Sequence, residues 1–132
     1  MKYKQEEKQE CKKLAYWLRF MDFKFTHIAN ERKVPIYVGA EFKALGVSKG
    51  FPDYFIFIDR DRCTSGKDAG LFIEMKKNRK ILASGKESKE NLVGKEQLEW
   101  LSVLGKIDNI ESAVCYGFEE AVEFIKQYLK DT

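Results

Sequence analysis

Two short runs of aromatic and β-branched residues, joined by one polar loop, constrain this chain more than any other feature. Asp53-Tyr54-Phe55-Ile56-Phe57-Ile58 and Leu71-Phe72-Ile73-Glu74-Met75 read as strands, because such side chains pack well on a pleated, half-buried surface. Between them, Asp59 to Gly70 is a polar loop containing Gly66. A direct loop between neighbouring strands predicts an antiparallel hairpin. Pairing symmetric about the loop sets position 58 opposite 71, 55 opposite 74 and 53 opposite 76. Alternate residues of a strand point the same way, so Asp53, Glu74 and Lys76 then share one face. Side chains directly opposite stand about 5 Å apart at Cβ, and diagonal ones roughly 7–8 Å apart.

This register gathers two carboxylates and an ammonium at the end of an otherwise apolar hairpin. Carboxylates that close repel each other unless a proton or a cation intervenes. A hard divalent cation with oxygen ligands removes the conflict, and magnesium in such a site keeps several waters. One water serves as nucleophile while the ion polarises a phosphoryl oxygen. The lysine orients that water, helps to deprotonate it, or steadies charge developing on the phosphate. The competing reading is an ordinary cross-strand salt bridge, which is the commoner meaning of an isolated carboxylate-x-lysine triplet. Pro52 directly before Asp53, the spacing and the hairpin context favour the catalytic reading.

The rest of the chain supplies helices around such a hairpin. Apolar residues at three- and four-residue steps (Cys11, Leu14, Ala15, Leu18, Met21) predict a helix over 3–21. Phe23 and Phe25 begin a short strand, 37–45 a short helix stopped by Gly46, and 94–104 a helix with Leu98, Leu101 and Leu104 inward. Ser112 to Tyr116 reads as a third core strand, and a last helix follows Gly117-Phe118 with Ala121, Val122, Ile125 and Leu129 apolar. The expected fold is α/β: a small mixed β-sheet flanked by helices, in a single domain over 1–132.

Composition removes other chemistries. Three cysteines without CxxC spacing and a single histidine, His27, argue against a disulfide framework, a zinc site and a histidine-based nucleophile system. The charged N-terminal stretch is unlike a signal peptide, and no apolar run approaches the roughly 20 residues of a membrane span. A cytoplasmic protein is expected. Net charge is only +3, but basic residues cluster at Lys12-Lys13, across 76–80 and at Lys86, Lys89 and Lys95. Around a carboxylate-rich site such clusters suit an anionic backbone. The stretch 77–94 reads as a mobile loop, with Lys77, Arg79, Lys80, Lys86, Lys89 and Lys95 expected to contact DNA.

Gly50-Phe51-Pro52-Asp53 followed by Ile73-Glu74-Met75-Lys76 resembles the PD-(D/E)xK nuclease signature. The wider pattern is similar to the virus-type replication-repair nuclease (VRR-NUC) family. It adds Asn30-Glu31, Leu45-Gly46-Val47, Gln97, Leu101 and Gly117-x-Glu119-Glu120-Ala121 to those motifs. This resemblance implies a restriction-endonuclease-like core with Asp53, Glu74 and the Met75 carbonyl as ligands of Mg²⁺ or Mn²⁺. It implies Lys76 as the catalytic lysine, Gln97 beside the site, and a metal-facing glutamate on the first helix. Glu7 suits that last role best by its distance to Leu18, with Glu6 and Glu10 as rivals. Met75 stands where valine or leucine is commoner, but only its carbonyl matters. A phage setting and homodimeric cutting of branched DNA, in the manner of Holliday-junction resolvases, are further implications, with a nuclease of flaps, nicks or nonspecific duplex, or a non-catalytic DNA-binding module on the same fold, as the alternatives. Tyr16, Trp17, Phe20, Phe23 and Phe42 offer apolar surface for the dimer, and His27 is expected half-buried or near the substrate.

Overall fold

A computed structural model describes residues 2–28 and 35–130, so the Asn30-Glu31 pair lies outside the described residues. Its elements in chain order are α1 (Lys2–Phe20), β1 (Lys24–His27), α2 (Ile36–Ala44), β2 (Tyr54–Ile58), β3 (Ala69–Lys76), α3 (Lys95–Leu104), β4 (Ile110–Tyr116) and α4 (Phe118–Lys126). A short 3₁₀ turn at Lys89–Asn91 precedes α3. The sheet order is β1-β2-β3-β4. The first two pairings are antiparallel and β3 runs parallel to β4, which gives the expected mixed sheet. A parallel neighbour needs a long crossover. Residues 77–109, with α3 inside them, provide it.

The β2–β3 register differs from the symmetric expectation by two residues: Tyr54 faces Ile73, Ile56 faces Leu71 and Ile58 faces Ala69. The loop is tighter than its sequence suggests because its two ends are tied together. The Arg60 backbone N–H donates to Asp68 Oδ1 at 2.8 Å, and the Arg60 guanidinium pairs with Asp68 Oδ2 at 3.0 Å. Gly70 therefore lies inside β3. Because side-chain direction repeats every second residue, a slip of two leaves each residue on its original face.

Ile56, Ile58, Leu71, Ile73 and Met75 are fully buried with Leu14 and Leu18 of α1 and Ala121 and Ile125 of α4. Each such aliphatic side chain contributes about 1.5–3 kcal/mol of transfer free energy. On the opposite face, Phe72 meets Phe51 and Phe55, and Phe51 packs edge-on against Trp100 of α3 at 4.9 Å. Only Leu104 of α3 is buried, while Leu98, expected inward, is 54% exposed. The aromatic layer ends before it reaches the first turn of α3.

Candidate active site

The residues Gly50 to Asp53 form a tight entry into β2. Gly50 has φ +88°, and a Cβ placed there would stand 2.8 Å from the Gln97 backbone nitrogen. Only glycine tolerates both the conformation and the approach. This contact seats the first turn of α3 against the strand end. Pro52 is buried, and Asp53 is already bound into the sheet: its N–H donates to the Ile73 carbonyl at 3.0 Å, and its carbonyl accepts from Ile28. One step beyond the Tyr54–Ile73 pair, Asp53 and Glu74 come opposite each other.

Both carboxylates are buried, Asp53 to 9% exposure and Glu74 to 2%. Asp53 Oδ2 accepts the Met75 N–H at 2.8 Å. Glu74 Oε2 accepts from Gln97 Nε2 at 2.9 Å, while Gln97 Oε1 accepts from the Gly94 N–H at 2.8 Å and from Lys76 Nζ at 3.4 Å. The amide orientation follows from this network. Reversed, it would aim its NH₂ at an N–H and an ammonium, and its oxygen at a carboxylate. Gln97 thus links the lysine to the glutamate and anchors both to the start of α3. Asp53, Glu74, Lys76 and Gln97 lie together as expected, although Lys76 stands one pleat further from Asp53 than symmetric pairing would place it.

The three glutamates of α1 have different surroundings. Glu6 pairs with Lys77 Nζ at 3.2 Å. Glu10 is buried and accepts from Lys13, from Asn78 and from the Phe118 N–H at the start of α4. Burial alone would raise its carboxyl, but the Lys13 hydrogen bond, the Phe118 N–H, the Lys13 charge and Asn78 carry it below its ordinary value. Glu7 lies on the stripe of Cys11, Leu14 and Leu18, which faces the sheet. The Cys11 thiol is pushed up to about 12 by burial first and then by the charges of Asp53, Glu7 and Glu74. Glu7 and the Asp53–Glu74 pair thus both act on the Cys11 thiol. Among the described residues, however, no three His, Cys, Asp or Glu side chains converge closely enough to hold a metal ion.

A solved structure named VRR_NUC domain protein superposes with a TM-score of 0.61 over 92% of this chain and 86% of its own, at 24% identity. The chain has the VRR-NUC fold. No family model matches the sequence, and no curated protein matches it either.

On this VRR-NUC fold the basic stretch after β3 is folded back on itself. Asn91 holds Lys80 through two main-chain bonds, at 3.0 and 2.8 Å, and Ile81 bridges to Glu87. Ser88 and Asn91 are buried. Arg79 lies over the Tyr116 ring at 3.9 Å and pairs with Glu87 at 2.8 Å. The stretch 77–94 is a loop apart from its 3₁₀ turn, and polar side chains within it satisfy part of its backbone. Lys77 is corrected as a surface residue: its side chain is 7% exposed against Glu6. Lys80, Lys86, Lys89 and Lys95 are exposed as expected. His27 is exposed with its ring against Tyr54, and burial of part of that ring lowers its pKa.

Sequence reasoning missed Glu10 as a structural anchor. At Gly117, φ is +93° and an added Cβ would run into Asn78 and approach Glu10. An acidic residue beside a helix N-terminus satisfies unpaired N–H groups and the helix dipole. The Gly117 that opens α4 was the available signal, but nothing in the order of residues showed that its partner came from α1. Among the described residues, no helix is long and apolar enough to cross a membrane.

Proposed function

We propose that this chain is a divalent-metal-dependent nuclease that hydrolyses phosphodiester bonds in DNA. The observation that carries the reading is the buried Asp53–Glu74 pair at the strand ends, with Lys76 tied to Glu74 through Gln97. The available donors are carboxylate and carbonyl oxygens, and the nearest thiol, Cys11, stays protonated near neutral pH. That set fits Mg²⁺ or Mn²⁺, hard cations that take oxygen ligands. Asp53, Glu74 and the Met75 carbonyl would hold the ion, with Glu7 as the α1 carboxylate that approaches them. When bound, the cation supplies a polarised water and charge neutralisation at the phosphate.

The protein's own groups have defined tasks in this scheme. Asp53 is held by the Met75 N–H, which fixes its Oδ2 against β3. Gln97 fixes the Glu74 carboxylate and restrains the Lys76 ammonium, which saves reorganisation when charge develops on the phosphate. Lys80, Lys86, Lys89 and Lys95 line a basic surface beside the site and bind the DNA backbone.

The substrate we favour is branched DNA, cut by a homodimer in a host cytoplasm. The support lies in α2, which has no buried residue, with Ile36 92%, Tyr37 76% and Leu45 73% exposed. With Phe42 and Val47, these side chains present roughly 600–700 Å² of largely apolar surface, near one partner's share of a standard interface. The exposed Tyr16 and Phe20 belong to α1 and not to this α2 surface, while Phe23 is buried at 8% and leaves the expected dimer patch. Its ring fills the core beside Trp17. The deciding experiment incubates the protein with Mg²⁺ or Mn²⁺ and a panel of duplex, flap, nicked and four-way-junction DNAs, alongside sedimentation of wild type and Ile36→Asp. Paired cuts in the junction by a dimer support the full reading. A monomer that cuts linear duplex as fast as a junction removes the branched-DNA part. Binding without cleavage in any metal removes the enzyme.

A further inference from the structure

A groove of about 570 Å³ runs along the outer flank of α1 where it meets the start of α4. Tyr16, Trp17, Phe20 and Phe118 line its floor and walls, and Lys12 and Lys13 stand at one end. Tyr16 and Phe20 are 75% and 76% exposed, so the monomer core makes little use of their rings. Four residues apart on one helix, they lie on the same face, about 6 Å from each other along the axis. At the lysine end, Glu10 caps Phe118 and pairs with Lys13. It is separate from the Asp53–Glu74 cluster but shares α1 with it.

We infer that this groove holds an unpaired nucleic-acid strand, with its bases stacked on Tyr16, Phe20 and Phe118 and its phosphates met by Lys12 and Lys13. Stacking platforms flanked by cations are how single strands are bound without regard to sequence, because every base has a π-face. A second copy of this chain is a poorer fit, since lysine is depleted where protein surfaces bury each other and two lysines close this groove. Lys13 is partly offset by Glu10 at 2.8 Å, so the aromatic rings carry more of the binding than charge does. The inference rests on the chain being a DNA-acting protein and deepens it. The site takes a strand that has left its duplex, as at a fork, flap or junction.

The test measures binding without turnover. In EDTA, labelled oligo-dT and a duplex of the same length are titrated into wild type, Tyr16→Ala, Phe20→Ala and the conservative Tyr16→Phe. Trp17 fluorescence is followed in a Trp100→Phe background. Each alanine change should weaken oligo-dT binding about tenfold and leave duplex binding within twofold, while Tyr16→Phe binds as wild type. Oligo-dT should quench Trp17. The inference is overturned by unchanged oligo-dT affinity in both alanine variants, or by equal losses for duplex. It is also overturned if the two variants turn a sedimenting dimer into a monomer, because the groove is then a contact between copies. Because no cleavage is involved, failure here leaves the nuclease reading standing, and loss of cleavage in the Asp53 and Glu74 variants leaves this result intact.

Discussion

Gly50→Ala isolates how closely the catalytic turn is wedged against α3. At φ +88° an alanine takes on left-handed strain of about 1–2 kcal/mol. Its Cβ would also meet Glu96 Cβ at 2.7 Å, and the Gln97 nitrogen and Glu96 carbonyl carbon at 2.8 Å, where ordinary contact begins at 3.4 Å. The first turn of α3 must retreat by about 0.6 Å, an overpacking that costs about 1–3 kcal/mol. Total destabilisation should reach about 2–5 kcal/mol. If that retreat is passed to the side chain, the Gln97–Glu74 hydrogen bond stretches from 2.9 Å toward the limit of useful geometry. Gly66→Ala is the matched control: φ is +72°, but nothing lies within 4 Å of the added methyl, so only strain applies. Urea denaturation of the two variants and single-turnover cleavage in Mg²⁺ give the comparison. Gly50→Ala should lose more stability than Gly66→Ala and should cleave more slowly while still folded. Equal stability losses, with cleavage at the parent rate, would show that the wedge has no part in holding Gln97.

Asp53→Ala and Glu74→Ala should each abolish cleavage and keep DNA binding, and excess EDTA should do the same to wild type; gel assays of cleavage and binding decide it, and cutting in EDTA would sink the metal requirement. Lys76→Ala should lower the single-turnover rate at least a hundredfold with little change in metal affinity, since its proposed task lies in the chemical step; calorimetric metal titration beside rapid quench separates the two effects. Changing Lys86, Lys89 and Lys95 together to alanine should reduce the slope of log K against log salt by about three. Lys77→Ala should instead lower Tm and leave the slope alone, because its ammonium is buried on Glu6. Glu10 has a folded pKa below its ordinary 4.5, so its contribution to stability is present above pH 4.5 and is lost as pH falls through the depressed value. Glu10→Gln should therefore flatten the acid limb of a Tm profile below about pH 4.5, and an unchanged limb would remove Glu10 from that role.

Local pattern carried much of this fold. The 3.6 period of Cys11, Leu14 and Leu18 marked α1, and the aromatic and β-branched run of Tyr54 to Ile58 marked β2, whose inward face of Tyr54, Ile56 and Ile58 the structure supplies. The site was legible for a related reason: Asp53, Glu74 and Lys76 depend on which face a residue takes, and face survives a register slip of two. The slip itself was not legible, since the Arg60–Asp68 pairing that shortens the loop depends on two side chains finding each other across the turn. Leu98 misled because an apolar position on a helix says only that it can be buried, and it is Leu104 that α3 buries. The order inside 77–94 escaped for the opposite reason. Asn91 and Ser88 look like loop residues by composition, but they close hydrogen bonds that no periodicity announces. Distinguishing Glu6, Glu7 and Glu10 required knowing what each one faces.

The bond between Glu10 and the Phe118 N–H spans 108 residues of chain, and it fixes the helix that brings Glu7 toward the cleft. On a ribosome, α1 emerges about a hundred residues before the start of α4. Until α4 appears, α1 lacks both the Ala121–Ile125 face it packs with and the backbone group that Glu10 holds. The proposed cutting centre is therefore assembled only once α4 has been made, so a chain stalled before it threatens no nearby DNA. Nascent chains stalled before Gly117 should show no protease-protected α1 and no cleavage, and chains released with α4 exposed should gain both together.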